Sequence, residues 1–202
     1  MTTPGRKAVE TRQAILNIAV EEIHRNGFRA TGLNDVLCKA GVTKGAFYHH
    51  FKSKSDFGLA VVREIFERTI RQLWIKPLEQ EDAGVNTLQN TIEYAMAATN
   101  ERFASLGCPL GNICTEMANQ DEKIRQLLIQ MMDQWRLNIR KVLKTDQDKG
   151  LIRGDVDCES SSYFILSALE GAMTLTKPYH SPGPYRTALR GLLGYLQSLK
   201  TQ

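Results

Sequence analysis

The sequence predicts an all-α protein of about nine helices, with a small helix-turn-helix domain in front of a larger helical bundle. Three observations predict it. The six prolines stand at Pro4, Pro77, Pro109, Pro178, Pro182 and Pro184, so residues 5–76 and 110–177 are free of the residue that breaks helices. Strand signals are poor, with no sustained period-2 alternation and no Asn-Gly or Asp-Gly hairpin turn between two strand-like runs. Apolar residues instead recur at helical spacing, as in Ile124, Leu127, Leu128, Met131, Trp135, Ile139, Val142 and Leu143.

Each element has its local reason. The first helix is expected from about Lys7 to Asn26, with Ile15, Leu16, Ala19, Val20 and Ile23 as one stripe and Gly27 as its stop. A short helix follows from Leu33 to Ala40, with Thr31 as its expected N-cap. Gly41 supplies the positive φ of a sharp turn. Thr43 caps another short helix to His50. A long helix is expected from Ser53 to Pro77, then a polar loop over Glu79 to Asn86. Further helices are expected at 87–104, 112–119, 121–147, 157–177 and 184–199. The domain boundary falls at 1–55 and 56–202.

Composition narrows the function classes. With 42% hydrophobic residues the chain can bury a real core. The polar start, Met1 to Gln13, has no apolar segment of a signal peptide, and no run approaches the roughly 18 apolar residues of a membrane span. A cytoplasmic protein without membrane partners is expected. Cys38, Cys108, Cys114 and Cys158 lack paired spacing and read as free thiols, so no metal site and no cofactor is expected. No GxGxxG after a strand, P-loop, GxSxG or HExxH is present, so an enzyme is not expected. The formal net charge is +4, and residues 1–60 hold nine basic and five acidic groups, so the surplus lies entirely there. Such asymmetry points to a polyanion partner for the basic end.

Residues 31 to 54 carry the function. Two short helices meet at Gly41, the geometry of a helix-turn-helix. Leu33, Val36, Leu37, Val42, Phe47 and Phe51 face inward, while the second helix turns small, polar and basic groups outward. A major groove about 12 Å wide admits one helix, whose N-terminal residues reach base edges. The candidate DNA-contacting residues are Thr31, Thr43, Lys44, Gly45, Ala46, Tyr48, His49, His50, Lys52 and Lys54. Gly45 and Ala46 permit close approach, Tyr48, His49 and His50 offer donors, and the lysines supply phosphate contacts. Adjacent His49 and His50 diverge on a helix and cannot share a metal.

These residues resemble the tetracycline-repressor family of bacterial regulators. The resemblance rests on Thr31, Ala40-Gly41-Val42, Lys44-Gly45-Ala46-Phe47-Tyr48-His49-His50-Phe51 and Ser53-Lys54, after Asn26-Gly27-Phe28. It implies a homodimer that binds double-stranded DNA at an inverted repeat, with a larger domain that dimerises and takes a small-molecule effector. A second segment, Gly107-Cys108-Pro109-Leu110-Gly111-Asn112 with Glu116-Met117, is similar to two repressors of that family, one controlling N-ethylmaleimide reductase and one responding to acrylate. Those carry Pro, Ser and Tyr where this chain has Thr43, Ala46 and His50, and an apolar residue where it has Pro109. The operator therefore does not carry over.

Candidate effector residues follow. Cys108 stands at an expected helix start, where amide dipoles favour a thiolate able to add to an electrophile or be oxidised. Asn112, Phe103, Met131, Trp135 and Tyr163 are candidate pocket residues, with Met132, Tyr94 and Phe164 as further linings. Cys38 is expected in the core. Glycines inside the last two helices each cost about 1 kcal/mol relative to Ala, which close helix approach would offset. The candidate dimer residues are Ala168, Gly171, Leu175, Leu189, Leu192 and Leu196. A repressor released by its effector is the reading these features favour. A sequence-tolerant architectural DNA binder and a small-molecule-binding enzyme are the alternatives.

Overall fold

A computed structural model describes residues 4–201; Met1 to Thr3, part of the polar start noted above, and Gln202 lie outside the described residues. Among these the chain is helical throughout, and its only β pairing is an isolated bridge between Ile152 and Lys200. The N-terminal domain is built from α1 (Pro4–Asn26), α2 (Leu33–Ala40) and α3 (Lys44–His50). α4 (Lys54–Ile65) follows and continues in wider π winding over Phe66–Ile75, then tightens to a 3₁₀ turn over Lys76–Glu79. The bundle comprises α5 (Val85–Ala98), α6 (Glu101–Leu106), α7 (Pro109–Met117), α8 (Glu122–Asp148), α9 (Cys158–Tyr179) and α10 (Gly183–Ser198).

The small domain closes around aromatic side chains. Ile15, Leu16, Ala19, Val36, Leu37, Phe47 and Phe51 are buried. The Phe57 ring of α4 lies 5.3 Å from Phe47 and 4.9 Å from Phe51, and Arg12 sits 5.2 Å over Phe51. Gly41 takes φ 64°, and its amide and that of Val42 close α2 on the Cys38 and Leu37 carbonyls. Thr43 and Ser53 cap α3 and α4 by accepting the amides of Ala46 and Asp56. In the bundle, α8 is central, with its whole apolar stripe from Ile124 to Leu143 buried.

Four sequence expectations are corrected here. The single helix expected over 87–104 is two, because Asn100 accepts the Phe103 amide and starts α6 afresh. α7 starts at Pro109, not 112: proline suits a first helical position, where no amide bond is lost. Thr31 does not cap α2; Gly32 holds that position, and the Thr31 hydroxyl donates to the Gly27 carbonyl at 2.8 Å. Cys38 is exposed on α2 rather than in the core.

Candidate nucleic-acid interface and internal cavity

The outer face of α3 and its flanks is open. Thr43, Lys44, Gly45, Tyr48, His49, Lys52 and Lys54 are exposed, while Ala46, His50 and Thr31 are half-buried. Tyr48 keeps 53% of its surface in solvent although its ring edge packs on Phe47 at 5.1 Å. An exposed tyrosine anchored on a buried phenylalanine is a positioned donor rather than a loose one. Ser53 and Asp56 fix the next turn: the Lys52 amide donates to Asp56 at 3.0 Å, and the Asp56 amide donates to Ser53 at 3.0 Å. Lys52 and Lys54 therefore stand on a rigid corner beside the exposed helix.

A partly open cavity of about 200 Å³ is set into the bundle. Its wall includes Thr69, Ile70, Leu73 and Trp74 from the π-wound segment, Thr99 and Phe103 around α6, Cys108 and Pro109 at the start of α7, Trp135 of α8, Leu169, Glu170 and Met173 of α9, and Tyr185 of α10. The π winding shifts successive side chains relative to an α-helix. Three of the sequence candidates meet here: Phe103, Cys108 and Trp135. The others do not line it. Asn112 bridges the Leu106 carbonyl and the Lys177 ammonium at 2.8 and 3.0 Å. Met131 is core and touches a cleft beside Arg12 and Arg63. Tyr163 is exposed under the Arg136 guanidinium, 4.4 Å from its ring, and Tyr94 and Phe164 are exposed too.

The chemistry at Cys108 differs from the expectation. Its Sγ does cap α7, accepting the Gly111 amide at 3.4 Å, but its thiol donates to Glu170 at 3.2 Å. Burial first, and the Glu170 carboxyl second, push the thiol pKa well above 9.0. The helix start is outweighed, and Cys108 is a protonated thiol. Glu170 is held above 4.5 by burial, against the opposing Cys108 hydrogen bond. Gly111 makes room for it, since a Cβ there would collide with the Glu170 carboxyl. Cys114, also beside Glu170, is pushed up to about 11, by burial first.

The cavity wall is tied to the DNA-facing domain. His24 near the end of α1 is hydrogen-bonded to the Gly107 carbonyl at 2.8 Å, next to Cys108, and its ring meets Phe103 edge-on at 5.9 Å. At the other end of α7 the Glu116 carboxylate accepts the amides of Phe28 and Arg29 at 2.7 and 2.6 Å. Sequence reading missed His24, Glu116 and Glu170 as functional groups. For Glu170 a signal existed: it is the lone charge in the run Ser167-Ala-Leu-Glu-Gly-Ala-Met173.

The candidate dimer residues divide. Leu189, Leu192 and Leu196 are 0–3% exposed and pack into the chain's own core, so the expectation that they face a second copy is corrected. Gly171 and Leu175 are exposed and Ala168 half-buried, on an α9 face shared with exposed Phe164 and Tyr179. A Cβ at Gly171, Gly191 or Gly194 would meet nothing within 4 Å, so close approach within the chain does not explain these glycines.

No helix among the described residues is long and apolar enough to cross a membrane, and no group of three or more His, Cys, Asp or Glu among them is placed to hold a metal. Comparison with known proteins matches residues 15–61 to the model described as bacterial regulatory proteins, tetR family, and residues 84–192 to the tetracyclin repressor-like C-terminal domain. The HTH-type transcriptional repressor DhaR of Mycobacterium sp. (strain GP1) is 29% identical over 169 residues, 82% of each chain. The transcriptional regulator AcuR of Cereibacter sphaeroides is 26% identical over 181 residues, 88% of this chain and 81% of the relative. A TetR transcriptional regulator from Chloroflexus aurantiacus is 25% identical and superimposes with a TM-score of 0.83, covering 96% of this chain and 98% of its own.

Proposed function

The chain belongs to the tetracycline-repressor family of bacterial transcriptional regulators, and on that premise we propose that it is a dimeric repressor released from an inverted-repeat operator when a small molecule fills the bundle cavity. The observation that carries this is the double attachment of α7. Its first residues form cavity wall at Cys108 and Pro109, and its Glu116 holds the α1–α2 turn by two backbone amides. A ligand that displaces the wall displaces the head. It shifts the equilibrium to the extent that it binds one arrangement better. Two recognition helices must match a groove repeat of about 34–36 Å, so a small rotation of each head lowers affinity for DNA.

The exposed α9 face, with Gly171, Leu175, Phe164 and Tyr179, and the open glycines of α10 are the surfaces through which two copies would pair. The likeness around Cys108 to repressors of N-ethylmaleimide reductase and of the acrylate response supports a reactive effector. The buried, protonated thiol supports reversible binding ahead of covalent capture. A sequence-tolerant architectural binder has no use for a ligand-sized cavity in its bundle.

The test is a mobility-shift assay of the purified protein on its own promoter region at low salt. Specific retardation that falls steeply with added salt is expected. Equal affinity for unrelated DNA, or no retardation, refutes the proposal.

A further inference from the structure

A cavity that serves an effector needs an entrance, and the assignment of that entrance rests on the reading of the cavity as the effector site. Among the described wall residues only Ala98 and Phe103 are exposed. They stand on either side of Thr99 and Asn100, the break between α5 and α6, so the cavity meets solvent there. Alanine is too small to cover an opening. Phe103, 37% exposed, is the large side chain at it.

Phe103 has a second face. It also lines a cleft of about 210 Å³ in the seam between head and bundle, with Glu21, His24 and Arg25 of α1 and with Asn100 and Leu106. One side chain is thus shared by cavity and cleft. Its backbone has little freedom. The Asn100 side chain accepts the Phe103 amide, the Thr176 hydroxyl donates to the Ala104 carbonyl at 2.6 Å, and the Asn112 amide donates to the Leu106 carbonyl at 2.8 Å. Opening the passage therefore falls to the Phe103 side chain, and exposed side chains change rotamer far faster than packed helices shift. On the cleft side the ring meets His24 edge-on, with centroids 5.9 Å apart. His24 is itself bonded to the Gly107 carbonyl at 2.8 Å, so it stands firm while head and bundle keep this arrangement.

We propose that Phe103 is the gate of the cavity and His24 its stop, so that small molecules pass through the seam between head and bundle and the position of α1 sets how readily they pass. A ring turned out of the passage opens the cavity, and it has room to turn fully only when His24 gives way. The DNA-facing head thereby governs the rates of entry and exit. This control is kinetic and separate from the attachment of α7, which sets the difference in affinity between the two arrangements.

The chain's two tryptophans, Trp74 and Trp135, both belong to the cavity wall and are buried, with ring centroids 5.6 Å apart. Their fluorescence therefore reports what enters. The test is collisional quenching of the full chain by succinimide, a small neutral quencher. Phe103→Ala is expected to raise the quenching rate constant several-fold, and His24→Ala to raise it less. Leu106→Ala widens the cleft without touching the cavity wall and should leave the rate unchanged. Unchanged quenching in Phe103→Ala overturns the gate, as does an equal rise in Leu106→Ala. Unchanged quenching in His24→Ala overturns the role of the head. Should Phe103→Ala fail to fold, Phe103→Leu is expected to give a smaller rise in the same direction, and no rise overturns the gate. Quenching is read without DNA, so the two readings fail separately. Loss of the gate leaves the DNA shift and its reversal standing, and a chain that does not bind DNA leaves the gate standing.

Discussion

Glu116 of α7 accepts the backbone amide of Phe28 at 2.7 Å, across 88 residues of chain and across the boundary between the DNA-facing head and the bundle. The same carboxylate takes the Arg29 amide, and Gly27 at φ 92° forms the turn that presents both. Hydrogen bonds to a charged group contribute about 1.5–3 kcal/mol each when partly buried. Glu116→Ala is expected to lower overall stability by a few kcal/mol. It should also loosen the coupling, so that effector binding is retained while effector-driven release from DNA is reduced. Parallel titrations of effector and operator on both proteins check this, and an unchanged release curve contradicts it.

On the DNA face, position and specificity separate. Lys52 is exposed at the corner before α4, placed for phosphate. Lys52→Ala should weaken binding to all sequences alike and reduce the slope of log affinity against log salt by about 1. Tyr48→Phe removes one hydroxyl from the exposed face of α3 and should cost about 1–3 kcal/mol for the operator while sparing unrelated DNA. Competition binding at several salt concentrations distinguishes the two.

How much of this was legible follows the range of the interactions. The helix bounds of the helix-turn-helix were readable, though not the N-cap of α2 or the place of Cys38, because their determinants are local: Gly41 in the left-handed region, the caps Thr43 and Ser53, and apolar Val36, Leu37, Phe47 and Phe51 at helical spacing. The cavity was not, because its wall gathers residues from α4's π extension through α10, and no spacing rule relates Thr69 to Glu170 or Tyr185. The stripe Leu189, Leu192, Leu196 was read as a partner face because apolar spacing marks burial without naming what does the burying. Gly171 and Leu175, on a face that the fold leaves open, were legible only through the small residue's poor fit to a helix interior.

That division predicts opposite failures. Leu175→Glu places a charge on the exposed α9 face and should yield a folded monomer with weakened operator binding, read by sedimentation velocity. Leu189→Ala, at a position with no exposure, should instead cost about 2–5 kcal/mol of stability through a cavity in the chain's own core. A Leu175→Glu protein that remains a dimer places the interface elsewhere.

Cysteine reactivity follows burial. Cys38 is exposed and Cys108 is buried with its thiol held protonated. Iodoacetamide at neutral pH should label Cys38 first and Cys108 slowly, as mapped by peptide mass spectrometry. Glu170→Gln removes the neighbouring negative charge and should speed labelling of Cys108. Equal rates at Cys38 and Cys108 contradict the assignment.

Glu170 also sets a pH dependence whose sign can be worked out. Its folded pKa is raised above 4.5, mainly by burial. Between 4.5 and that raised value the folded chain binds the proton more tightly than the unfolded one, so stability is fully present below 4.5 and declines as pH rises through the folded value. His24 acts oppositely: burial, the largest cause, lowers its pKa from 6.5, so its contribution is present above 6.5 and lost as pH falls through the lowered value. Melting temperatures across this range should therefore show two slopes of opposite sign. Glu170→Gln should abolish the decline with rising pH and leave the His24 slope in place. Persistence of that decline in Glu170→Gln would assign it to another carboxyl.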